Sequence, residues 1–135
     1  MFKFSQRSEK HLQGVHGDLV KVVRKALEYS TVDFAVIEGV RTKARQAQLF
    51  KQGATKTMNS RHLTGHAVDL APLVEGKIPW SEQDKFKEIA KAMFRAAKEL
   101  NVTILWGGDW NGNGKSEDER FYDGPHFELH CAVYP

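Results

Sequence analysis

The stretch Ser60-Arg61-His62-Leu63-Thr64-Gly65-His66-Ala67-Val68-Asp69-Leu70-Ala71 decides how this chain of 135 residues is read. Its first half has no periodicity and reads as loop. Its second half, Ala67–Ala71, is short and apolar around one Asp, as a strand is. Alternate residues of a strand share a face. Asp69 then lies with Ala67, opposite to Val68 and Leu70, and His66 points the other way. The His62–His66 spacing is that of helical zinc sites, but Gly65 stands between them and no Glu follows His62. His62 is therefore the expected partner of Asp69. Imidazole and carboxylate are both zinc ligands, and a catalytic zinc takes three protein ligands with one position left open.

The best source of a third ligand is Asp123-Gly124-Pro125-His126-Phe127-Glu128-Leu129-His130. A strand over His126–Val133 puts His126, Glu128 and His130 on one face. Phe127, Leu129, Cys131 and Val133 fall on the other, the core face. Glu128 shares a face with His126 and is either an acid–base group or a partner that orients the histidine.

Further out, Leu19, Val22, Val23, Ala26 and Leu27 recur at helical spacing after Asp18, an expected N-cap. Asp33–Glu38 reads as a strand, and Gly39-Val40-Arg41-Thr42 turns the chain. Thr42 caps a helix to about Gln52, with Gly53 as its stop. Val74–Trp80 reads as a turn or small hairpin. Ser81 to about Leu100 is the clearest helix. Ser81 and Asp84 form a capping-box pattern, and Phe86, Ile89, Ala90, Met93, Phe94, Ala97 and Leu100 make one apolar stripe. Val102–Trp106 is a buried strand, and Gly107–Gly124 a polar loop. The sum is an α+β domain with a short antiparallel sheet and about three helices, occupying residues 1–135.

Composition limits the partners. Charged residues make up 27% and hydrophobic ones 41%, as in ordinary globular domains. No apolar run suits a membrane span, and the first residues lack a secretory stretch, so synthesis and folding in a cytoplasm, without stable membrane association, are expected. The single cysteine, Cys131, excludes an internal disulfide. A net charge of +3 with scattered Lys and Arg gives no nucleic-acid footprint.

Asp109-Trp110-Asn111-Gly112-Asn113-Gly114 opens like a calcium loop, with Asp109, Asn111 and Asn113 as oxygen ligands. The twelfth position is Arg120 where a Glu is needed. Calcium is thus a second candidate ion. Trp110 is a candidate wall of a substrate groove.

Together these elements resemble a family of zinc peptidases: the D-alanyl-D-alanine dipeptidases and carboxypeptidases and the phage L-alanyl-D-glutamate endopeptidases. The pattern Ser-x-His-x-x-Gly-x-Ala-x-Asp is met by Ser60, His62, Gly65, Ala67 and Asp69. Asp123 stands three before His126, and Gly39 with Arg41 meets a Gly-x-Arg element. The likeness runs from Asp33 to Leu129. It is strongest to the phage endolysin branch, which Gly107–Trp110 and the compact length also fit. The resemblance implies a hedgehog/DD-peptidase fold, Zn2+ on His62, Asp69 and His126, and Asp123 as the catalytic acid–base. The dipeptidases often carry Glu at that position. Arg41 would stabilise an oxyanion or grip a substrate carboxylate, and Ser60 would support the bound substrate. The implied substrate is the peptidoglycan stem peptide, cut between L-Ala and D-Glu by a monomer without a separate wall-binding domain. The implied outcome is host-cell lysis once the membrane has been permeabilised. A D-Ala-D-Ala carboxypeptidase or dipeptidase, and a non-catalytic wall-peptide binding module, are the alternatives.

Overall fold

Alternation along Ala67–Ala71 is realised in the computed structural model, which describes residues 2–53, 60–108 and 124–135. Strand β2 runs Ala67–Pro72, and Val68 and Leu70 are fully buried on its core face. It lies between β1 (Phe34–Glu38) and β4 (His126–Leu129), and β3 (Ile104–Trp106) completes an antiparallel sheet of order β1-β2-β4-β3. Among the described residues four α-helices accompany it: α1 (Gln6–Leu12), α2 (Gly17–Tyr29), α3 (Lys43–Lys51) and α4 (Gln83–Leu100). The α+β class and antiparallel sheet are as expected. Helix α1 was not anticipated, being 7 residues long and started by the Ser5 side chain, which accepts from the Ser8 N–H.

The apolar periodicity explains the packing. Leu19, Val22, Val23 and Ala26 of α2 meet Ile89, Met93 and Ala96 of α4, over Val68, Leu70, Phe127 and Leu129 of the sheet. The α4 stripe is narrower than its sequence suggests, since Phe94 and Leu100 are exposed. Cap predictions shift by a residue or two. His16, not Asp18, caps α2, its Nδ1 accepting from the Asp18 N–H. Helix α4 begins at Gln83 behind Glu82 without a side-chain cap bond, so the Ser81–Asp84 box does not form. Thr42 caps α3 as expected.

Helix α1 covers the open edge of β1. The Val36 N–H donates to Ser8 Oγ (3.1 Å), and His11 Nδ1 donates to the Val36 carbonyl (2.7 Å). These bonds use the polar groups that an edge strand would otherwise present.

Strand β4 ends four residues early. Its partner β3 has only three residues, and the last cross-link joins the His130 N–H to the Thr103 carbonyl. The chain then turns, leaving Cys131 and Val133 exposed rather than in the core.

Candidate metal centre

The face of the sheet turned away from α2 and α4 carries the site. Asp69 on β2 and His126 on β4 are direct cross-strand partners. His62 comes from a 3-10 turn, Arg61–Thr64, just before β2. Ser60 caps that turn, its Oγ accepting from the His62 N–H. Gly65 ends it with φ +76°, and a Cβ there would meet the Gly14 carbonyl oxygen at 2.6 Å. Glycine is required by both the left-handed backbone and the close approach.

Hydrogen bonds fix which nitrogen of each histidine faces inward. His62 Nδ1 donates to the Gly39 carbonyl at 2.8 Å, so Nε2 presents a lone pair. His126 Nε2 donates to Glu128 Oε1 at 2.8 Å, so Nδ1 presents a lone pair. These nitrogens lie 3.3 Å and 3.4 Å from Asp69 Oδ1, and neither makes a hydrogen bond to it. Three potential ligand atoms thus lie together. His62 Nε2 and Asp69 Oδ1 are buried without a hydrogen-bond partner. Leaving such atoms unsatisfied costs about 1–3 kcal/mol each. A cation at their centre removes that cost, so the donor set fits a metal ion. Among the described residues, His62, Asp69 and His126 are the one group of three or more His, Cys, Asp or Glu side chains close enough to share an ion.

Burial pushes the Asp69 carboxyl up, but a proton carried by His126 or His62 toward it outweighs burial and holds it well below the usual carboxylate range; an ion at the centre would take that proton's place. It is therefore a carboxylate at neutral pH, as ligation demands.

Glu128 is committed to the outer nitrogen of His126 and lies 3.8 Å from Arg61 Nε. Arg41 is buried beside Asp69, with Nη2 3.6 Å from Oδ2. Its Nε and Nη2 donate to Glu38, and Nη1 donates to the fully buried Gln46. Neither Glu38 nor Gln46 is singled out by the sequence. His66 stands apart from the cluster: its Nδ1 contacts Thr64 Oγ1 at 2.6 Å, and its ring packs 5.5 Å from that of His16. Burial, then Arg61 and His16, lower its pKa. Asp123, Trp110 and the calcium candidates Asp109, Asn111 and Asn113 lie outside the described residues.

A family model for the phage L-alanyl-D-glutamate peptidase matches residues 1–130. The chain belongs to that family. It is 42% identical over 134 residues to the L-alanyl-D-glutamate peptidase of Escherichia phage T5, covering 95% of this chain and 98% of that protein. Among solved structures, the Serratia marcescens L-Ala D-Glu endopeptidase ChiX matches with a TM-score of 0.85 and 44% identity, covering 100% of this chain and 94% of that one. The vancomycin-resistance D,D-dipeptidase VanXYg, at 16% identity and a TM-score of 0.51 over 85% of this chain and 50% of its own, shares the fold alone. No helix among the described residues is long and apolar enough to cross a membrane.

Proposed function

We propose that this chain is a zinc-dependent phage endolysin that hydrolyses the L-Ala–D-Glu bond of peptidoglycan stem peptides. The observation that carries the metal is the clustering of two imidazole nitrogens and one carboxylate oxygen within 4.8 Å of one another. The separations to Asp69 Oδ1, 3.3 Å and 3.4 Å, are short enough for both nitrogens to share an ion with it. The bond specificity rests on the activities for which the phage T5 and Serratia relatives are named.

His62, Asp69 and His126 would hold the ion. When bound, zinc supplies a Lewis acid that polarises a carbonyl and makes water a nucleophile near neutral pH. The chain's own residues set the rest. Gly39 and Glu128 keep each imidazole in the tautomer that ligation needs. Arg41 places positive charge next to the ligand carboxylate, where it stabilises a negatively charged oxygen through its field. Asp123, three residues before His126, accepts a proton from water and returns it to the leaving amine. Ser60 and Trp110 are assigned to substrate support.

Digestion of purified peptidoglycan by zinc-loaded protein, with and without chelator, tests this reading. Chelator-sensitive appearance of new N-terminal D-Glu in mass spectra is the expected result. Released D-Ala moves the assignment to a carboxypeptidase. A digest with no new termini at any zinc level overturns the enzyme reading.

A further inference from the structure

Strand β1 does not keep its alternation to the end. Val36 pairs with Leu70, yet Glu38, two residues on, pairs with Asp69, one residue back. A regular ladder would set Glu38 opposite Val68 and aim it into the core, on the face of Phe34 and Val36. The register shift turns it instead onto the face of the metal cluster. Bulges of this kind re-aim side chains beside active sites.

Two carboxylates directly opposite each other on neighbouring strands repel. Here Arg41 stands between them, and its bonds are unequal. Nε reaches Glu38 Oε1 and Nη2 reaches Glu38 Oε2, both at 2.8 Å, the length of strong charge-assisted bonds. Nη2 to Asp69 Oδ2 is 3.6 Å, too long for a hydrogen bond. Gln46 Oε1 fixes Nη1 at 2.7 Å. The Arg41 side chain is 8% exposed, so water has little room to take over the role of a lost partner.

We propose that Glu38 is a positioning residue for the metal site: its two-pronged grip keeps the Arg41 guanidinium from closing on Asp69 and so leaves that carboxylate to the ion. This rests on the metal reading given under Proposed function. A guanidinium paired with Asp69 competes with any cation for the same charge. Held by Glu38 it stays 3.6 Å from Oδ2, and Oδ1 stays with the two histidines.

The test is zinc affinity of the full chain, measured with zinc alone against a fluorescent chelator at neutral pH. Glu38→Gln is expected to weaken zinc binding about tenfold, the low end of what lost outer contacts cost a metal site. Adding Arg41→Gln to Glu38→Gln removes the competing cation and restores most of that loss. A contact that matters only for folding gives no such restoration. The inference fails when Glu38→Gln binds zinc as the wild type does, or when the double variant is as weak as Glu38→Gln. If Glu38→Gln does not fold, Arg41→Lys decides. It keeps the cation but loses the fork, so affinity falls; unchanged affinity overturns the proposal. Wild-type protein that takes up no zinc overturns the metal reading itself, a result distinct from equal, tight binding by wild type and variant.

Discussion

Asp69 Oδ1 accepts nothing and faces two lone pairs, and this makes a counterintuitive expectation at the scale of one residue. Asp69→Asn places an amide N–H2 where those lone pairs point. At pH 8 the metal-free variant should melt at a higher temperature than the metal-free wild type, while the zinc-dependent rise in melting temperature disappears. Scanning fluorimetry with and without zinc reads both; a variant that melts lower without metal sinks the argument. The two acidic residues flanking His126 should separate by what they change. Asp123→Asn should lower kcat by about a hundredfold or more, with zinc affinity kept. Glu128→Gln should instead weaken zinc binding about tenfold, with kcat of the zinc-saturated enzyme nearly intact. Activity and chelator competition on the same two variants check this, and the reverse pattern would make Glu128 the base. Residue-level reading from sequence favoured His62 with Asp69 and put His126, Glu128 and His130 on one face; the resemblance chose His126, and the fold brings His62, Asp69 and His126 together. That reading did not reach Glu38, because a register shift has no signature in residue order and alternation assigns that side chain to the core. The partner roles of Gln46 and the Gly39 carbonyl depend on a fold-level approach of distant segments, which spacing does not encode.

At the scale of elements, the junction of α1 with the end of β1 is the tightest point near the site. A Cβ on Gly39 would fall 1.8 Å from the His11 carbonyl oxygen and 3.1 Å from a Val15 methyl. The backbone must move to accept it, and the carbonyl that holds His62 moves with it. Gly39→Ala should therefore cost about 3 kcal/mol of stability, measured by urea unfolding, and weaken zinc binding in the folded fraction. Stability within experimental error of the wild type would show that α1 yields at no cost. Elements with strong apolar periodicity, α2 and α4, were legible in the sequence. Their caps were less so, because many polar residues near a helix start compete for the same role and the backbone path chooses among them. The length of β4 was overestimated for a different reason. A strand lasts only as long as its neighbour, and β3 stops at three residues.

For the whole molecule, the proposed ligands come from three pieces of chain: the 3-10 turn, β2 and β4. An ion that binds only the folded arrangement stabilises it by about 4 kcal/mol when free zinc is a thousand times Kd. For a chain of this length that corresponds to a rise in melting temperature of roughly 10 °C. Chelation should reverse it, and calorimetry with a zinc series checks it. A melting temperature blind to zinc and chelator would mean that the cluster holds no ion.

The alternation that builds the site also constrains anyone who would engineer a hardier lysin. On β2 and β4 each core side chain is the immediate neighbour of one proposed for the metal site: Val68 and Leu70 flank Asp69, and Phe127 sits between His126 and Glu128. A substitution that shifts either strand to repack its inner face drags the outer face with it. Heat-tolerant variants are best sought away from both strands, beginning with Phe94 and Leu100 on the exposed side of α4.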